Sequence, residues 1–496
     1  MWRGAALGLA IAAAGCSGRG GPAAPGDHPP YTADGDAGQP SVSTLQALSV
    51  STGTLRPAFD PGVTDYDVTS LNSVYPVSVT AVTADPAATL AIQGAPARSG
   101  TASSFTLSPR QDIQVVVASP GLPPATYTVH YVPSDLPPYT VTSSAGAGAE
   151  PVLVTPDGSY AMIIDRAGAP LYYRTWLPDQ AGNFQQTTLA DGAVVYSVNV
   201  GAFDPSGWSL GVDHVMDDHF QDVADYQLLP YAQHDVLPAE GHEFVMLGDQ
   251  HFIAISYVKR TLDLSGVDPS WSTQATVMSN VLQEIDHGSV LLEWDSATVP
   301  SLYADSYYEN DYDDPQPSDP QDYCHLNSID VDPSDGNLVV SLRHTSSIVK
   351  IDRRTAQVLW TLGGREDQFG LMADQVFSFQ HHVRMQPDGS MTIFDNGSGP
   401  PSMHPTRVVQ LTLDAVQHQV TSFHVLYTKP SDEPQTGYMG SAVPLSGGRL
   451  FVGWGGWYTN GLAPAATEIL GGAPVWTLQI DSPGYFSYRA LPIAPP

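Results

Sequence analysis

The stretch Gln386–Asp395, QPDGSMTIFD, pairs a tight polar turn with an apolar strand, and the same form recurs along the chain. The other copies are TPDGSYAMII (155–164), LADGAVVYSV (189–198), AEGHEFVML (239–247), PSDGNLVVSL (333–342) and LSGGRLFVGW (445–454). Their turn glycines are Gly158, Gly192, Gly241, Gly336, Gly389 and Gly448. A second element repeats alongside: an apolar–Asp pair, a short turn, then a strand that often ends in Trp. It reads IIDRAGAPLYYRTW (163–176), EIDHGSVLLEW (284–294) and KIDRRTAQVLW (350–360), with weaker copies at Leu413-Asp414 and Ile480-Asp481. A hairpin plus an outer strand pair, repeated at spacings of roughly 35 to 60 residues, predicts a β-propeller. Six turns suit six blades, and the long gap from Gly241 to Gly336 calls for an insertion.

Composition agrees with an all-β fold. The 496 residues include 45 glycines, 43 prolines and 23 tyrosines, and no long helical periodicity follows the N-terminus. A formal charge of −32 with 19 Lys+Arg excludes nucleic acid, whose phosphates require a basic footprint. The opening MWRGAALGLAIAAAGC carries Arg3 and an apolar run too short to span a bilayer, as a secretory signal does. Its end, Ala13-Ala14-Gly15-Cys16, resembles a bacterial lipobox, which implies lipidation at Cys16 and a bacterial cell-envelope location, periplasmic or outer-membrane/cell-surface. Acyl chains anchor by burying methylenes, at about 0.8 kcal/mol each. The lipid is then the only contact with a membrane. With Cys16 modified, the one other cysteine, Cys324, reads as a small buried apolar residue.

Residues 17–43 are rich in Gly, Pro, Ala and Asp and read as a flexible linker. From 44 to 134, alternating runs such as VSVTAVTA (77–84) and IQVVVAS (113–119) predict a small antiparallel β-sandwich. Phe59-Asp60-Pro61, Tyr66-Asp67-Val68 and the closing ATYTVHYV (125–132) resemble a cadherin-like β-sandwich module, which implies a spacer. The propeller is expected over 138–496. Residues 296–322, acidic and rich in Tyr and Pro, lack alternation and end just before His325. They read first as a solvated loop, second as a lid, and last as a calcium site, because no known ligand spacing is met.

Three histidines precede turn glycines in three repeats: His234 in QHDVLPAEG, His325 in HLNSIDVDPSDG and His381 in QHHVRMQPDG. First strands of propeller blades line the channel, so the three are expected in one pocket. His325 and Asn327 are two apart and share a strand face, and the strand after Gly336 returns Arg343 to His325. His382 should face away from His381, while His214, His219 and His242 read as surface or structural. A zinc site is the rival reading of the three histidines. Arg343 opposes it, because a fixed cation repels a dication and favours an anionic substrate.

The run from Asp322 to Gly364, followed by FSFQHHVRMQPDGSMTIFDNG (377–397), resembles the bacterial arylsulfotransferases that use no nucleotide sulfate donor. The resemblance spans about residues 140–490 and implies a six-bladed propeller, a transiently sulfated histidine, an aryl sulfate donor and a phenolic acceptor. It places the nucleophile at His381, a histidine of the site at His325, the arginine at Arg343 and a further histidine at His234. Before Gly241 this chain is one residue shorter than the family pattern, and Thr406-Arg407 stands where the family has Ser-Arg. The chemistry then follows. Arg343 and His325 hold the sulfuryl oxygens, Asn327 orients His325, His234 moves the phenolic proton, and no cofactor or metal is required. The alternatives are a non-catalytic propeller binding anionic or glycan ligands, and a metal-dependent hydrolase.

Overall fold

The computed structural model describes residues 42–51, 55–56, 58–70, 75–107, 112–133, 136–231, 234–313, 320–457, 461–482 and 486–493. The signal, Cys16 and nearly all of the linker lie outside these residues. The chain divides into two compact units, Met1–Ser134 and Asp135–Pro496. Among the described residues no helix is long and apolar enough to cross a membrane.

The first unit is a β-sandwich. One sheet joins Leu45–Val50, Tyr75–Thr83 and Ser103–Leu107; the other has six strands. Inward-facing residues of both sheets, among them Val79, Val115, Tyr127 and Val129, form its core. The expected purely antiparallel pairing has one exception: Asp65–Ser70 runs parallel to Ala125–Pro133.

The second unit is a ring of radially arranged antiparallel sheets. Sheet 1 joins Val152–Pro156, Ala161–Ile164 and Pro170–Arg174 to the C-terminal strand Ser487–Pro492. Sheet 2 is built on Gln180–Thr188, Val194–Asp204, Trp208–Met216 and Asp222–Tyr226, and sheet 3 on Phe244–Gly248, His251–Leu262, Ala275–Asp286 and Ser289–Asp295. Sheet 4 contains Leu326–Val331, Leu338–Leu342, Ser347–Ile351 and Val358–Gly363; sheet 5 contains His381–Met385, Met391–Asp395, Arg407–Asp414 and Gln419–Thr428. Sheet 6 holds Ser441–Pro444, Arg449–Gly453, Pro464–Leu470 and Ala473–Ile480, with Tyr139–Ser143 added at its outer edge. Each sheet packs on the next and sheet 6 packs on sheet 1, which closes the ring. Both ends of the unit lock it, since Tyr139–Ser143 completes the last sheet and Ser487–Pro492 the first. The architecture is that of a β-propeller, as the repeats predict.

The repeats themselves are less uniform than they read. The turns at Gly192, Gly336, Gly389 and Gly448 join innermost to second strands. The turn at Gly158 instead joins second to third strands, because the innermost strand of sheet 1 arrives from the C-terminus. Gly241 lies before the innermost strand of sheet 3, whose own turn is Gly248-Asp249-Gln250. Gly336 and Gly389 take φ of +75° and +83°, which a Cβ disfavours, whereas Gly241 is absent from the positive-φ set. Close packing on Asn199 Oδ1, 3.0 Å from where a Cβ would stand, is what that glycine permits.

Beneath the site the sheets meet on one buried carboxylate. Glu243, fully buried, accepts from Arg384 Nη2 at 2.6 Å and from Arg489 Nη1 and Nη2 at 2.9 and 3.1 Å. Burial raises its carboxyl, but the two guanidiniums outweigh that and hold it below the usual range. Removing one partner of such a cluster leaves uncompensated buried charge, at a cost of about 3–5 kcal/mol. Glu243→Ala should lose stability of that order in urea unfolding, whereas a loss of about 1 kcal/mol or less would show the cluster is dispensable.

Candidate active site

The innermost strands of sheets 3, 4 and 5 start at one end of the ring, and a histidine stands at each start. These are His242, two residues before Phe244–Gly248; His325, one before Leu326–Val331; and His381, the first of His381–Met385. All are buried, and the His242 and His325 rings meet edge to face at 4.7 Å. Arg343 turns back from the second strand of sheet 4, its N–H donating to the His325 carbonyl at 3.0 Å. Its guanidinium lies over the Phe379 ring at 4.5 Å and meets His344 Nε2 at 2.5 Å. The His344 ring stacks on His325 at 4.5 Å.

Each imidazole is held through Nδ1. His242 Nδ1 is 2.7 Å from Glu240 Oε1, His325 Nδ1 is 2.5 Å from Asp322 Oδ2, and His344 Nδ1 meets the Asp322 carbonyl. His381 Nδ1 is 2.8 Å from Asn396 Oδ1. Asn396 Nδ2 is committed to the carbonyls of Thr436 and Met439, so its oxygen must face the ring. His381 therefore carries its proton on Nδ1, and its Nε2 lone pair accepts the Met439 N–H at 3.1 Å. Burial first, then the Arg343 charge, holds His381 well below the ordinary imidazole range. A neutral ring whose Nε2 carries a lone pair rather than a proton is what a nucleophile needs. Burial likewise lowers His325 and His344 and raises the Asp322 carboxyl. His325, Phe379, His382 and Met439 all have φ between +48° and +63°, a cluster of strained backbone of the kind that marks functional sites.

The expected set is corrected at several positions. His234 does not join the others. It sits against Arg260, with Nε2 2.8 Å from Nη2, beside Asp295 at 3.4 Å. Arg260 and Tyr257 are an odd number of residues apart on one strand, so they take opposite faces. Tyr257 packs edge-on to His325 at 5.6 Å, which leaves Arg260 and His234 on the other side. His242, read as structural, holds the place given to His234. The reason is Gly241, which lies before the innermost strand rather than after it. Had FVMLGDQHFIAI (244–255) been read as the hairpin, His242 would have aligned with His325 and His381.

Asn327 is brought close but not to His325. A bulge between Leu326 and Ser328 breaks the alternation, and Asn327 Nδ2 donates to the Gln380 carbonyl at 2.8 Å. It thereby fixes the residue before His381, while Asp322 orients His325. His382 turns away from the site, its Nδ1 accepting from Ala442 N–H. His214 and His219 pair with surface aspartates. Cys324 is buried and free, with its thiol pushed well up by burial. Residues 296–313 are no solvated loop: Leu302, Tyr303 and Tyr312 are buried, and Tyr308 rests on His344 at 4.6 Å. Two further basic side chains of sheet 4 serve ion pairs, Lys350 with Asp332 and Arg353 with Glu284.

The fold and site define a β-propeller with a histidine-and-arginine centre on its innermost strands. The family model "Arylsulfotransferase (ASST)" matches residues 185–457, more than half of the chain, and the chain belongs to that family. The model "Cadherin-like beta sandwich domain" matches 45–132. No curated protein matches. Among solved structures, a Bacteroides caccae protein of unknown function is 12% identical, with 70% of this chain and 99% of that one covered and a TM-score of 0.42. The β-propeller domain of Myceliophteria thermophila Cps50 (Swd1) is 10% identical over 68% and 88%, with a TM-score of 0.36. An auxiliary nutrient binding protein from Bacteroides ovatus is 10% identical over 89% and 90%, with a TM-score of 0.33. At these scores the structural likenesses bear no further argument.

The tautomer is directly observable. Nitrogen-15 shifts of His-labelled protein should show His381 neutral with its proton on Nδ1 from pH 6.5 upward; an imidazolium signal there would contradict the geometry.

Proposed function

We propose that the chain transfers a sulfuryl group from a phenolic sulfate ester to a phenol through an N-sulfohistidine at His381. Family membership supports a sulfotransferase-type activity. The observation that carries the finer reading is the neutral, tautomer-fixed His381 beside Arg343. His381 Nε2 releases the Met439 N–H and attacks sulfur as the ester S–O bond breaks and the phenolate leaves. The acceptor phenol then attacks the same sulfur, and the S–N bond breaks. Sulfuryl transfer resembles phosphoryl transfer, with a loose transition state whose charge lies on the equatorial oxygens. Positioning and fixed donors therefore dominate catalysis.

Arg343 supplies the fixed positive donor. Burial favours the neutral forms of both Asp322 and His325. Asp322 Oδ2 holds the His325 ring through Nδ1, and the ring's Nε2 edge is assigned as a second contact for the sulfuryl oxygens. His242, tied to Glu240, is assigned the proton of the leaving and entering phenol. These roles retain the clamp expected of His325 and Arg343 and move the acid–base role from His234 to His242. No step requires a cofactor.

One observation favours a metal-dependent reading: Asp322, His325 and His344 each offer a ligand atom, all within 4.8 Å of one another. Arg343 against His344 Nε2 opposes a dication there. A chromogenic aryl sulfate with a phenol acceptor separates the readings. Acceptor-dependent release that survives a chelator supports the transferase; loss on chelation supports the hydrolase. No turnover across several donors supports a binding propeller.

His381→Ala should abolish turnover and the sulfuryl mass adduct that a donor alone leaves on the enzyme. His242→Ala should lower kcat by about 10²–10⁴-fold, the usual range for a lost acid–base group. His234→Ala should stay within about tenfold of the parent, because it lies on the far face of sheet 3; equal losses would restore the original assignment. Since the reactive His381 is already neutral, kcat/KM should have no acid limb from this residue above pH 6.5. The lipid anchor and cell-envelope location belong to the same proposal, and Cys16→Ser should move the protein from the membrane to the soluble fraction.

A further inference from the structure

The insertion after sheet 3 carries an aromatic pair of side chains to the site, and the mechanism above leaves them without a role. Tyr308 is 46% exposed, yet its ring lies 4.6 Å from His344 and 6.1 Å from Phe379, against which it stands edge-on. Phe379 is buried under the Arg343 guanidinium. Tyr308 is thus the exposed member of a chain of ring contacts that runs through His344 and Phe379 to the Arg343 guanidinium. The pair is registered to the site by backbone as well as by rings. Tyr307 N–H donates to the His344 carbonyl at 2.8 Å, and Arg365 covers the Tyr307 ring at 4.3 Å. Asn310 Nδ2 closes the local turn on the Ser306 carbonyl at 3.1 Å. An exposed tyrosine so held is a prepared surface, because its rotamer freedom is already lost before any ligand arrives.

We infer that Tyr308, with Phe379 behind it, is the platform on which the aryl group of the donor or acceptor stacks, and that the insertion sets preference for extended planar aryl groups. This rests on the sulfuryl-transfer reading. A sulfonate held by Arg343 has its aryl group within reach of this chain of rings, and Tyr308 is its one exposed member, resting on both His344 and Phe379. Stacked or edge-on aromatic pairs contribute beyond their buried area, and a larger fused ring buries more apolar surface on the platform.

The test compares Tyr308→Ala and Tyr308→Phe with the parent, using 4-nitrophenyl sulfate and a fused-ring aryl sulfate as donors. Binding of naphthalene-2-sulfonate, an unreactive mimic, is measured in parallel by calorimetry. In Tyr308→Ala, KM for the fused-ring donor and Kd for the sulfonate should both rise about three- to tenfold, with kcat little changed and the single-ring donor less affected. Tyr308→Phe should match the parent. Unchanged KM and Kd in Tyr308→Ala would overturn the platform, as would a Phe variant as impaired as Ala. The sulfonate affinity decides the platform even if the parent turns over no aryl sulfate, an outcome that would sink the transferase reading instead.

Discussion

Everything at the site hangs on a carboxylate that never meets water. Glu243 follows His242 in sequence and binds Arg384, three residues after His381, and Arg489, next to Tyr488. Arg489 also donates to the Asn327 carbonyl at 3.1 Å, and Tyr488 to that of His242 at 3.0 Å. One acid and two guanidiniums thus tie the innermost strands of sheets 1, 3, 4 and 5. In a low-dielectric interior such a cluster has few alternative arrangements, because any slip strands a charge. The starts of those strands, where the histidines sit, inherit that fixity.

The same logic repeats on a smaller scale around each imidazole. Glu240, Asp322 and Asn396 take up Nδ1 of His242, His325 and His381, so each ring presents its other edge in a set orientation. Burial then disfavours charge on the His325 and His381 rings and leaves Arg343 as the fixed cation. This resolves the tension between a protein at −32 and an anionic substrate. Most of the carboxylates lie at the surface, while other basic side chains near the ring are neutralised by partners such as Glu243, Glu284 and Asp332.

Much of this was legible beforehand, for definite reasons. Strand alternation and Asp-Gly turns are local signals, and they marked the sheets. His325, His381 and Arg343 were grouped in advance because each sits in a hairpin whose turn glycine really follows the innermost strand. His234 was misread where that rule failed: Gly241 resembles a turn glycine but serves close packing on Asn199. Asn327 was misread because a bulge, invisible in the residue pattern, turns its side chain onto Gln380. The acidic insertion was misread because its buried tyrosines lack any periodicity, although they pack firmly.

From the sequence alone came the all-β class, the two-module order, the repeats and the grouping of His325, His381 and Arg343. These depend on short-range constraints: side-chain period, turn conformation and the proximity that a hairpin imposes. Only the tertiary structure chose His242 over His234, placed Asp322, Asn396 and Glu243, and brought Tyr308 to the site. Those choices depend on which faces of separate sheets meet, and a buried polar partner is selected by that meeting rather than by its neighbours in the chain.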